Sequence, residues 1–260
     1  MTLPTQRLDV ADLEARVKSM YEQVARDPLA QFHFETGRGL AERLGYPAAD
    51  LDRIPGEAIA SFAGVGYFLD MAGLTAGDTV IDLGSGSGTD SFLAALAVGR
   101  GGKVIGVDMT PGQLAKARRL ADATPQVDFR EGRIETPPVE QGSVDCVISN
   151  GVINLAPDKA AVFSAAARAL RPGGRLAIAD IVTAVQLPDG VTCDAALWAA
   201  CIGGAMQCDR YLDTITAAGF TIDRVRDNPS YQFVSDRAVG ATTKFGVTSI
   251  SLLAHRADIR

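Results

Sequence analysis

The stretch Val80-Ile81-Asp82-Leu83-Gly84-Ser85-Gly86-Ser87-Gly88 joins a short apolar run to a glycine-rich turn, and Thr89 to Val98 continues it with helical character. That is strand, loop and helix. Glycines at such a turn accept positive φ and let a ligand approach the backbone, while the helix N-terminus offers free N–H groups. Something polar or anionic docks there. A dinucleotide-binding turn would place glycine at 84, 86 and 89, but Thr89 fills the last position and the third glycine comes one residue early as Gly88. A nicotinamide dinucleotide is therefore disfavoured.

Outward from this turn the pattern repeats. Thr79 to Leu83, Lys103 to Asp108, Val127 to Glu131, Val144 to Ser149 and Arg175 to Ile181 read as strands. Helical stretches fall at Gln113 to Ala123 and Asp158 to Leu170. Parallel strands need crossovers of a dozen or more residues, so this spacing predicts an α/β fold with a Rossmann-like, doubly wound, mostly parallel sheet. After Ile181 the order breaks. Leu197 to Cys208 and Tyr211 to Ala218 read as helices, and Thr221 to Arg226 with Val247 to Ala254 as an antiparallel edge pair. Ahead of the core, Val10 to Val24, Arg38 to Leu44 and Ala58 to Met71 read as helices. The expected division is a helical N-terminal lid over residues 1–70 and a core over 71–260, with inserted lid helices at about 195–218.

The 260 residues are 47% hydrophobic and 22% charged, a globular composition. Lys and Arg number 25 against 31 Asp and Glu, a net charge of −6 with no basic run, which argues against a nucleic-acid partner. The longest apolar stretch, Ala195 to Met206, is well short of the ~20 residues a membrane span needs. The start, MTLPTQRLDVADLEARV, lacks a signal peptide's apolar run, so a cytoplasmic location and no membrane partner are expected. Cys146, Cys193, Cys201 and Cys208 form no CxxC pair, which predicts free thiols and no metal site.

Asp108 ends the strand Val104-Ile105-Gly106-Val107 about 20 residues beyond the loop, where a ribose diol would lie. A helix cap before Thr110-Pro111 is its alternative role. At this point the chain resembles the class I S-adenosylmethionine-dependent methyltransferases. DLGSGSG, GVDMT, EGRIETPPV, VDCVISNGVINL and LRPGGRLAIAD match their five motifs in order. The resemblance implies S-adenosylmethionine as cofactor. It places Gly84 and Gly86 at the methionine part, Asp108 on the ribose and Met109 against adenine. Ile134 and Glu135 fall at the adenine edge and Asn150 beside the sulfonium, with Asp82 and Ser85 completing the cofactor set.

Several phrases resemble the arsenite methyltransferase branch more closely: RLGYPAADLDRIP, SFAGVG, SNGVINLAPDK and LWAACIGGA. That branch holds soft trivalent arsenic on cysteine sulfur. Here Gly151 stands where the branch carries cysteine in the fourth motif. The thiol-bearing N-terminal stretch is replaced by Phe32-His33-Phe34-Glu35-Thr36-Gly37-Arg38, and Cys201 alone stays in place. The expectation is methyl transfer to a small organic molecule, with a carbon, oxygen or nitrogen acceptor. Metalloid methylation and a non-catalytic cofactor-binding module are the alternatives. Candidate pocket residues are Tyr21, Tyr67, Phe68, Asn154, Trp198 and Cys201. His33 and Glu35 are the candidate general bases, with a structural histidine packed into the lid as the other reading of His33.

Overall fold

Central parallel strands are buried on both faces, so they read as continuous apolar runs, and TVIDL does so. In the computed structural model, which describes residues 8–194, 198, 202–234 and 236–257, this run is β1 (Thr79–Leu83). Lys103–Asp108 (β2), Val127–Glu131 (β3), Val144–Asn150 (β4) and Leu170–Thr183 (β5) follow. Met206–Gln207 (β6), Phe220–Asp227 (β7) and Thr248–Arg256 (β8) complete the strands described. They form one sheet of order β3-β2-β1-β4-β5-β8-β7, with β6 paired to the end of β5. Pairing is parallel from β3 to β5, while β8 runs antiparallel to both β5 and β7. The expected antiparallel pair is present. Its reversed strand lies second from the edge.

Helices α1 (Val10–Arg26), α2 (Arg38–Leu44), α3 (Ala48–Leu51) and α4 (Gly56–Ala60) form the N-terminal cover. The core carries α5 (Thr89–Val98), α6 (Pro111–Leu120) and α7 (Lys159–Ala169). Short α8 (Asp189–Thr192), α9 (Cys208–Ala217) and α10 (Asp236–Phe245) follow. Phe92 and Val98 of α5 and Leu114 and Ala117 of α6 pack on one sheet face together with Leu13 and Val17 of the cover. Phe163 and Ala166 of α7 and Tyr211 and Ile215 of α9 pack on the other. The sheet is thus doubly wound.

Three expectations need correction. The helix over Ala58 to Met71 stops at Ala60, because residues 61–71 take an irregular path over the strand ends. At Gly64 in this path, a Cβ would stand 2.5 Å from Asn150 Nδ2, so the chain passes too close to the core for a side chain. Of the helix expected over Leu197 to Cys208, residues 197 and 199–201 lie outside the described residues, 202–205 are not helical, Met206–Gln207 takes extended pairing with β5, and α9 begins at Cys208. Strand β5 begins at Leu170 rather than Arg175, since Leu170 pairs with Val144 ahead of a bulge in the register.

The irregular path is pinned from below by the last strands. Ser249 Oγ donates to the Val65 carbonyl at 2.7 Å and Ser251 Oγ to that of Tyr67 at 3.1 Å, while Arg226 pairs with Asp70 at 2.6 Å. No helix among the described residues is long and apolar enough to cross a membrane.

Candidate active site

A cavity opens at the C-terminal ends of β1, β2 and β4, under the cover. This is where open α/β sheets hold ligands, because the strand order reverses beside β1. Its floor is the glycine turn. Gly84, Gly86 and Gly88 all have positive φ, at 77°, 53° and 97°. A Cβ on Gly84 would come within 2.4 Å of Val152 Cγ2, whereas one on Gly86 would meet nothing closer than 3.8 Å. The turn is therefore shaped tightly at its first glycine and left open at its second.

Asp108 lines the cavity from the end of β2. Its Oδ2 accepts the Gly86 N–H at 2.9 Å and its Oδ1 the Thr110 N–H at 2.8 Å, so the carboxyl closes a turn just ahead of α6 and braces the loop together. Burial raises its pKa, and the backbone donors pull it back. Each oxygen retains a lone pair for a diol. Asp82 lies deeper, 2% exposed, accepting from Ser91 Oγ at 2.6 Å. Burial, aided by the negative charge of Asp90, pushes it up to about 8.

Every residue expected at the cofactor lines this cavity: Asp82, Gly84, Ser85, Gly86, Asp108, Met109, Ile134, Glu135 and Asn150. Tyr21 joins them from α1. Two observations fit these residues to an adenosyl cofactor. Ser85 Oγ is buried with no hydrogen-bond partner among the described residues, and a donor in that position needs an acceptor. The glycine turn leaves its backbone open to close approach at Gly86.

The expected acceptor pocket and bases are placed differently. Glu35 pairs with Arg43 on the surface and does not line the cavity, since the guanidinium takes both its oxygens. His33 packs edge-on against Phe34, ring centroids 4.6 Å apart, and Phe34 in turn stacks on Tyr21, so the imidazole is two rings removed from the cavity. Phe68 is buried in the core and Tyr67 packs on Tyr46, both outside the cavity lining. Asn154 is fully buried beneath it, its carbonyl accepting from Lys159 Nζ at 3.2 Å. Trp198 lines a separate hollow with Lys159, whose ammonium sits 4.9 Å from the indole centroid and is brought down to about 8 by burial. Cys201 lies outside the described residues.

Sequence reasoning missed several contributors. Leu13, Glu14 and Val17 of α1 roof the cavity, and the i, i+4 spacing of Leu13, Val17 and Tyr21 marked that face. Val152 walls it behind Gly84 without any sequence signal. Asp90 also lines it and is the one charged residue in the apolar segment of α5, which was the available signal. Its Oδ1 accepts from the Tyr46 hydroxyl at 2.6 Å and its Oδ2 from Asn150 Nδ2 at 3.0 Å. Burial pushes Asp90 up to about 6 against these two donors.

Among the described residues no cysteine lines the cavity, and no cluster of three His, Cys, Asp or Glu side chains is arranged to hold a metal ion. Cys146 is fully buried in β4, its thiol pushed up to about 12 by burial. Gly151 has φ 69°, and a Cβ there would stand 3.0 Å from Val65 Cγ1.

Known proteins align with this arrangement. An arsenite methyltransferase from Halobacterium salinarum is 43% identical over 78% of this chain and 52% of its own. The chain spans about half the length of this relative. The crystal structure of an arsenic (III) S-adenosylmethionine methyltransferase from Chlamydomonas reinhardtii superposes with TM-score 0.69 at 32% identity, covering 82% of this chain and 73% of that one. A geranyl diphosphate methyltransferase complexed with its diphosphate and sinefungin shares the fold, with TM-score 0.66 at 20% identity over 94% of this chain and all of that one. A family model described as a methyltransferase domain matches residues 74–219, which takes in the glycine turn, Asp108 and Asn150, and the chain belongs to that family.

Proposed function

We propose that this chain transfers the methyl group of S-adenosylmethionine to a small organic acceptor held under the N-terminal cover. The carrying observation is the cavity itself: a glycine turn braced by Asp108, closed over by α1, with no thiol among its described lining. S-adenosylmethionine supplies a methyl carbon already activated by its sulfonium. The protein's part is then positioning and the exclusion of water. Gly84 and Gly86 give the methionyl portion its bed, Asp108 offers two acceptor oxygens to the ribose, and Ser85 offers a hydroxyl donor. Leu13 and Val17 of α1 close the apolar side, and Arg133, paired with Glu14 at 2.6 Å, ties α1 down at the adenine edge.

A second reading is favoured by the names of the relatives: methylation of trivalent arsenic. The similarity at 43% and 32% identity supports it more directly than it supports an organic acceptor. Against it stand the glycine at 151, in a backbone conformation that disfavours cysteine, and the absence of thiols from residues 32–38. The deciding experiment incubates the chain with S-adenosylmethionine and either arsenite with glutathione or a panel of small phenols, amines and carbon acids, and follows S-adenosylhomocysteine by mass spectrometry. Methylation within the organic panel and none with arsenite is expected. Efficient arsenite turnover would overturn the organic reading, and cofactor binding without turnover on any acceptor would favour a binding module.

A further inference from the structure

The strand order β3-β2-β1-β4 fixes which end of the cavity is which. Asp108 on β2 marks the sugar end, so the methionyl end extends over β1 toward β4, whose last residue is Asn150. Asp90 belongs to that end. Asn150 Nδ2 donates to it at 3.0 Å and also to the Gly66 carbonyl at 3.1 Å, while Asn150 Oδ1 accepts the Val65 N–H at 2.8 Å. Core and cover therefore meet at this corner, and an acceptor reaching in beneath the cover would meet the donor sulfur there.

The groups facing Asp90 are Tyr46 from the cover, Asn150 from β4, Asp82 from β1 and, further off, Tyr67. None carries a positive charge, and no lysine or arginine among the described residues is paired with it. A carboxylate 6% exposed is costly without a counter-charge. Two neutral donors do not supply one.

We propose that Asp90 is the counter-ion of the donor's sulfonium, so that the cavity distinguishes the charged methyl donor from its neutral-sulfur product. The inference rests on the cofactor reading above. Burial holds Asp90 near the point where a fixed cation would ionise it fully. Once the methyl group has left, the sulfur is an uncharged thioether and Asp90 keeps only Tyr46 and Asn150. Asp82, which shares the wall, is held up at about 8 by burial and by Asp90, so it keeps its proton across the pH 5 to 7 interval in which Asp90 titrates.

The test is isothermal titration calorimetry of the full chain with S-adenosylmethionine and with S-adenosylhomocysteine, at pH 7 and pH 5. Asp90→Asn should weaken S-adenosylmethionine by at least ~10-fold more than S-adenosylhomocysteine, the order expected for one lost charge pair in a partly screened site. In the unmodified protein, lowering the pH to 5 should shift the ratio of the two affinities in the same direction, and Asp90→Asn should remove that pH dependence. Tyr46→Phe keeps the charge and should keep the discrimination. Equal losses for both ligands, or none, would overturn the proposal. Should Asp90→Asn fail to fold, a pH-independent affinity ratio in the unmodified protein would overturn it equally. If neither ligand binds the unmodified protein, the cofactor reading itself has failed.

Discussion

The Gly86 N–H points into the carboxylate of Asp108 at 2.9 Å, joining the glycine turn after β1 to the end of β2. One side chain therefore shapes the loop and lines the cavity. Asp108→Ala should weaken S-adenosylhomocysteine by about 10- to 100-fold, the loss of charge-assisted bonds worth ~1.5–3 kcal/mol. Asp108→Asn, which retains one acceptor oxygen, should lose less. Calorimetry decides it: unchanged affinity in the alanine variant would remove the ribose assignment, leaving Asp108 as a brace between the glycine turn and the turn ahead of α6.

The turn should tolerate change unevenly. Gly84→Ala places a Cβ within 2.4 Å of Val152 at φ 77°, so strain of ~1–3 kcal/mol adds to a clash. Gly86→Ala meets only an ordinary contact with Gln113 at 3.8 Å and should lose only ~1 kcal/mol to its left-handed backbone. Thermal unfolding should rank Gly84→Ala below Gly86→Ala. The reverse order would show that the second glycine, not the first, is the packed one.

Stability should fall as the solution is made alkaline from acid. Asp82, Asp90 and Asp180 are buried carboxyls held up at about 8, 6 and 6. Each binds its proton more tightly folded than unfolded, so its contribution is complete below ~4 and is lost as the pH rises through 6 and then 8. Asp82→Asn should flatten the upper part of that decline, between about pH 6 and 8. Denaturant unfolding at pH 5 and 8 measures it, and at this chain length each ~1 kcal/mol moves the Tm by about 2–4 °C. A stability that rises across this interval would show that these carboxyls are ionised in the folded protein.

What the sequence made legible follows from what periodicity records. The β1 run, the glycine turn and Asp108 are local signals, each readable within a few residues, and the cavity is built around them. The bases proposed at His33 and Glu35 depended on where a loop would lie, and that is decided by Arg43, eight residues beyond Glu35 on α2. Asp90 hid for the opposite reason. It sits next to the recognisable turn, but its partners Tyr46 and Asn150 come from 44 and 60 residues away.

The bond from Ser249 to the Val65 carbonyl joins residues 184 apart in the chain. Contacts of such separation close the largest loops and form late, after the local βα units have their own hydrogen bonds. The glycine turn and Asp108 can thus assemble early, while the path over Asn150 gains its bonds from Ser249 and Ser251 only once β8 has entered between β5 and β7. A nascent chain would carry the Asp108 side of its cavity before the side at Asn150 is fully roofed, and would gain the second only with β8.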